Sequence, residues 1–307
     1  MEKRKTGPVL SVLSTSILPV FGLLALGFGM GRFGWTSQDE ARALNRFSML
    51  VAGPALMFSL LATVDARAFS VDALGVYVWA GWILFALAFV VARYILQRGP
   101  REAVLLGMSV MFVNTLLYIW PISFLIYGAP AALPITAIVA WDSAISFSIF
   151  ICAMEIMTPG RSLLQATGRI LRNPILLSVA AGIAMNLARI PVPVPLDRFT
   201  AFAGSAAAPL TLFAVGVILS AQSIWPDRTT VVMSALKLLV LPGIVWIGTS
   251  LFAVTGNWAD LSLLAAAGPS GAMAFALAVL YGVRSDTIAR IIIWTSFLSL
   301  FSLAYLA

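Results

Sequence analysis

Long apolar runs, parted by short polar or basic connections, follow one another along almost the whole chain. A helix needs about 20 apolar residues to cross the hydrocarbon core of a bilayer. Ten runs approach or exceed that length: residues 9–31, 47–63, 71–95, 103–128 and 131–156, then 175–190, 199–221, 229–252, 259–281 and 287–306. The pattern predicts an all-α polytopic membrane protein with ten transmembrane helices. The first run is too long for the apolar core of a signal peptide and lacks a small-residue cleavage site, so it reads as a retained span. Residues 35–46 (WTSQDEARALNR) predict a short amphipathic helix at the interface, capped by Thr36 or Ser37, with Asp39 and Glu40 in its first turn. The longest polar connection, 158–172, lies mid-chain.

That connection parts two related halves. At a shift of 155 residues Pro54 falls on Pro209, Phe47 on Phe202, Phe58 on Phe213 and Asp72 on Asp227. Tyr127-Gly128 and Tyr281-Gly282 agree at a shift of 154. The predicted organisation is residues 1–157 as a first five-helix repeat, 158–172 as a cytoplasmic connection, and 173–307 as the second. Five is odd, so the second repeat is inverted in the membrane. Inverted repeats with broken helices and a midplane site are a pattern of secondary transporters.

Charge orients the chain. The odd-numbered connections hold twelve arginines, whereas the even-numbered ones hold only Arg67, Arg189 and Arg198. The positive-inside rule puts the odd connections in the cytoplasm and both termini outside. Lys3, Arg4 and Lys5 argue the other way but are outnumbered.

Composition adds exclusions. Of the residues, 61% are hydrophobic and 10% charged, with mean hydropathy +1.00, too apolar to cover a soluble surface. Net charge +7 arises from residues at helix ends, with no basic face for nucleic acid. The single Cys152 excludes an internal disulfide, and the absence of His removes His relays and His-ligated metals. There is no G-x-S-x-G, Walker A or HExxH motif, so the chain reads as no enzyme and needs no cofactor.

Few polar residues lie deep in the runs. Asn114 and Thr115 precede Pro121 in span 4, and Gly268-Pro269-Ser270-Gly271 interrupts span 9. Either two unwound helices cross there, aiming half-helix N-termini at an anion, or these are ordinary kinks with Asn114 bonded to a neighbour. Lys237 sits well inside span 8, where it faces a cavity or a partner, or snorkels. Asp142, in span 5, is the most deeply placed acid; it pairs with a cation, carries a coupled proton, or holds the cavity. Asp72 and Asp227 open spans 3 and 8, as helix N-terminal charges or, for Asp72, as part of an outward vestibule.

Together these residues resemble the auxin efflux carrier family, which includes bacterial malonate and malate permeases and the plant PIN carriers. The resemblance covers essentially the whole chain. It rests on Asn45-Arg46-Phe47 with Pro54 and Phe58, on Asn114-Thr115-Leu116 with Pro121 and Tyr127-Gly128, and on Asn173-Pro174. Lys237 with Pro242, and Pro269-x-Gly271 with Phe275, Ala278, Tyr281 and Asp286, complete it. Plant PIN carriers have a proline at Ala274, and some bacterial relatives an Asn at Met273. The resemblance implies a fold similar to the bile-acid:sodium symporters, with a scaffold of spans 1, 2, 6 and 7 and a mobile unit of spans 3–5 and 8–10. It implies transport of a small organic anion by elevator-type alternating access in the cell (inner) membrane. Asn114, Thr115, Pro121, Pro269, Ser270 and Gly271 would hold the substrate, with Lys237, Asp142 and Asp72 in support. Scaffold helices would carry any homodimer contact. A membrane-embedded sensor or channel-like binding protein on the same fold is the alternative.

Overall fold

The computed structural model describes residues 13–64, 69–128, 131–160 and 162–306. The start of the first predicted span, the basic N-terminal tail, Arg67 and Arg161 lie outside the described residues. Among the described residues the chain is helical, and seven helices are long and apolar enough to cross a membrane. These are α1 (Ser14–Arg32), α2 (Gln38–Thr63), α3 (Val71–Ile95), α6 (Leu133–Ile156), α9 (Val194–Ser220), α10 (Arg228–Leu251) and α13 (Asp286–Leu306). An eighth is the pair α7 (Leu163–Leu171) and α8 (Pro174–Leu187), bent by 59°. Four shorter helices fill the two remaining apolar runs: α4 (Pro100–Met111), α5 (Thr115–Tyr127), α11 (Asn257–Ala266) and α12 (Met273–Leu280).

The expected interfacial helix at 35–46 is not separate. It runs straight into the next span as α2, because no Gly or Pro stands between Ser37 and Gly53 to end it. Ser37 is the cap: its Oγ accepts from the Glu40 N–H at 3.2 Å, and the Glu40 carboxylate accepts from the Ser37 N–H at 2.8 Å. This reciprocal pairing satisfies two otherwise unpaired donors. Asn173 Oδ1 does the same for α8, accepting from the Ile175 N–H at 2.9 Å. Asp227 Oδ1 caps α10 through the Thr230 N–H at 2.7 Å.

Three prolines inside spans share one arrangement. Wide π-type turns at Ser48–Ala52, Thr115–Ile119 and Leu236–Val240 each end two residues before a proline, at Pro54, Pro121 and Pro242. In each turn the residue before the proline donates to the carbonyl five back: Gly53 to Ser48, Trp120 to Thr115 and Leu241 to Leu236. The slipped ladder lets a residue without an N–H continue the helix. This corrects the expectation that Pro121 marks the unwinding of span 4. The helix continues through Pro121, and the chain is extended earlier, from Phe112 (ψ 122°) to Asn114 (ψ 61°).

The helices pack in two sets. In one, α1 lies along α9 while α2 lies along α8 and α9. The α1–α9 approach is close because Gly27 and Gly216 face the partner backbone reciprocally. A Cβ on Gly27 would collide with the Phe213 carbonyl, and one on Gly216 with the Leu24 carbonyl. Small residues allow such backbone contact where no hydrophobic drive separates lipid from protein. In the other set, α3 packs on α4 and α10, α10 on α11 and α13, and α4 on α12.

Candidate functional site

Two interrupted runs meet at the centre of the second set. The Asn114 N–H donates to the Pro269 carbonyl at 2.9 Å, and the Gly271 N–H donates to the Phe112 carbonyl at 3.0 Å. They form an isolated antiparallel bridge between Val113 and Ser270. The Ser270 N–H is satisfied by Thr295 Oγ1 on α13 at 3.1 Å. Gly271 is needed for this approach: a Cβ there would stand 3.1 Å from the Val113 carbonyl oxygen. Extended backbone at this depth is tolerated only where protein or a water-filled cavity receives its polar groups.

Such a cavity lies against the crossing, with a volume of about 770 Å³. Its crossing wall is Phe112 to Leu117 and Gly271 to Met273, so the N-termini of α5 and α12 both open onto it. The first turns of both helices lack a side-chain cap. Unpaired N–H groups and the positive ends of two helix dipoles therefore converge on one space, an arrangement that attracts an anion. The Asn114 side-chain amide lines it with no hydrogen-bond partner among the described residues. The opposite wall comes from the first helix set: Ser48 and Met49 of α2, Asn173 before α8, and Thr211 and Val215 of α9. Gln38, Arg42, Gln222 and Ser285 stand near the ends of helices, at the mouth.

Asp142 is 8% exposed and lines the same cavity, where a wide turn at Asp142–Ser146 widens α6. Its Oδ1 accepts from Ser146 Oγ at 3.5 Å, a long bond. Lys237, fully buried on α10, stands within electrostatic reach of Asp142 and does not line the cavity. Its Nζ donates to the Ala266 carbonyl at 3.4 Å, at the C-terminal and electronegative end of α11. The Tyr77 hydroxyl, on α3, neighbours both Asp142 and Thr115.

The structure thus brings Asn114, Thr115, Gly271 and Asp142 together around one space, with Lys237 behind Asp142. Pro269 and Ser270 are buried and hold the crossing without lining the cavity; Ser270 Oγ has no partner there. Pro121 lies in α5 away from the cavity, and Asp72 is exposed in the first turn of α3. Sequence reasoning missed Asn173, Thr211, Ser143 and Gln222 as cavity residues. Thr211 had a weak signal, standing two residues after the repeated Pro209. An ion pair of a buried carboxylate with a partly exposed arginine also went unseen. Glu155, fully buried at the end of α6, pairs with Arg169 of α7 and accepts from the Tyr281 hydroxyl at 3.0 Å.

The profile of the family described as "Membrane transport protein" matches residues 12–169 and 158–307. The chain belongs to this auxin efflux carrier family. It is a multi-pass membrane protein of a transporter family. The chain is 28% identical to a Rhizobium meliloti (strain 1021) protein named "Putative malonate transporter", over 92% of this chain and 91% of that protein.

Proposed function

We propose that this protein is a secondary transporter of small organic anions, working by elevator-type alternating access in the cell (inner) membrane. The observation that carries the reading is the cavity at the crossing, where two uncapped half-helix N-termini and the unpartnered Asn114 amide converge. The printed name of the Rhizobium relative points to a carboxylate as the first substrate to try. In this reading α4–α5 and α11–α12 are the broken spans 4 and 9 of ten, in two inverted repeats on either side of residues 158–172. The helix pairing supports it. Packing of α1 on α9 is mirrored by α2 on α8, and the set α1, α2, α8 and α9 would be the scaffold. The cavity lies between that scaffold and the remaining, mobile helices. Gln38, Arg42, Gln222 and Ser285 line it from odd-numbered connections or their borders, which supports reading its open side as cytoplasmic under the positive-inside assignment, with both termini outside.

The test is binding and uptake by purified protein in proteoliposomes, using radiolabelled malonate and indole-3-acetate. Wild type should take up at least one of them. Asn114→Ala should bind it roughly ten- to a hundredfold more weakly, as expected when a hydrogen bond to a charged group, about 1.5–3 kcal/mol, is lost. Unchanged affinity in a folded Asn114→Ala variant would remove this residue from the site. Tight binding without uptake would instead assign the chain to the sensor class.

A further inference from the structure

The charge balance of the cavity is unusual for an anion site. Among the described residues, Asp142 is the only acid that lines it, and Arg42 the only cation. Arg42 stands at the mouth and is paired to Asp39 at 2.9 Å. The remaining positive charge within reach is Lys237, which lies behind Asp142. With both groups ionised the pair is neutral, and an entering carboxylate leaves one uncompensated negative charge. Such burial costs several kcal/mol in a low-dielectric interior. A proton on Asp142 removes that charge. Lys237 and the substrate then balance each other.

We infer that Asp142 carries one proton with each anion, so that a monoanion such as indole-3-acetate moves without net charge; the inference rests on the transporter reading above. An O–H bond forms on the Asp142 carboxylate with a proton from water on one side of the membrane. It breaks with release to water on the other side, and no other bond changes. The groups facing Asp142 fit this role. Lys237 approaches from α10, the Tyr77 hydroxyl, itself beside Thr115, from α3, and Ser146 from its own helix. The α8 wall presents Asn173, Pro174 and Ile175, none of which titrates.

The experiment uses the full chain in proteoliposomes containing a trapped pH-sensitive dye, with radiolabelled malonate and indole-3-acetate as probes and protein-free vesicles as the control. An inward gradient of a transported probe should acidify the lumen in step with uptake, beyond the control. Acidifying the outer buffer by one unit should raise uptake by up to about tenfold, as the proton supply does. Asp142→Asn should abolish the protein-dependent acidification, and sodium should change nothing. Asp142→Glu retains a titrating group, so its uptake should keep the coupling with a displaced pH profile. Uptake without acidification overturns the inference while leaving the transporter reading intact. So does acidification that persists in Asp142→Asn, uptake that requires sodium, or an unshifted profile in Asp142→Glu when Asp142→Asn is inactive. Absence of uptake of both probes counts against the transporter reading itself, and the inference falls with it.

Discussion

At the scale of single residues, charge is placed in two different ways. Inside the helix bundle, Asp142 lines the cavity and Lys237 stands buried behind it, within electrostatic reach. At the helix ends, Asp227 gathers cations in a half-exposed cluster: Arg290 at 3.0 Å and Arg98 at 3.8 Å. Burial opposes ionisation of Asp227. The Thr230 backbone and hydroxyl and the charges of Arg290 and Arg98 outweigh it, holding its carboxyl below the usual range. A depressed folded-state value means that stabilisation is present above the unfolded value, near 3.9. It is lost as the pH falls through the folded value. Asp227→Asn keeps a capping oxygen and loses the charge. It should therefore melt below wild type at pH 7, and the gap should close in acid below about pH 4. The difference is small, about 1 kcal/mol or less, because the pair is exposed to solvent screening. Melting curves of purified protein at several pH values measure it; a gap that widens in acid would contradict the assignment. Asn114, Asp142 and Lys237 were legible in the sequence because polar residues within apolar runs are rare. Asn173 and Gln222 were not: they sit at span ends, where polar residues are ordinary, and only the fold brings them to the cavity.

At the scale of elements, the apolar runs located most helices, with 71–95 recovered as α3 to the residue. Two boundaries moved for physical reasons. The amphipathic 35–46 segment fused with its span because nothing in it stops a helix. The break in span 4 lies at Phe112–Asn114 because the wide turn at Thr115–Ile119 absorbs Pro121. Periodicity and composition do not report where a π-type turn forms, so the proline looked like the break. The interrupted stretch at 268–271 was legible, since Gly-Pro-Ser-Gly offers no continuous helix. Contact between α1 and α9 was invisible in sequence, being made by two glycines 189 positions apart. Gly216→Leu should force these backbones apart. We expect a loss of about 1–3 kcal/mol, the range for overpacking a filled site, while Gly22→Leu should cost little because nothing lies within 4 Å of its Cβ position. Equal stability of the two variants in thermal unfolding would contradict this packing.

At the scale of the whole molecule, two helix sets share a cavity. The Gln38 side-chain amide, donating to the Val217 carbonyl at 2.7 Å, ties α2 to α9 within the first set. The Glu155–Arg169–Tyr281 cluster joins α6 and the end of α12 to α7, which leads into α8. The arrangement suits a body that moves against a fixed partner while carrying its site. Its family was legible from scattered motifs, whereas the cavity's shape and open side depended on contacts far apart in sequence. The most direct measurement of alternating access is counterflow. Proteoliposomes preloaded with an unlabelled probe that the protein binds, malonate or indole-3-acetate, are diluted into a trace of the labelled compound. A carrier that exposes one site to each side in turn should accumulate label transiently above equilibrium, and Asn114→Ala should not. A bound probe that shows no overshoot with the wild-type protein would contradict the account.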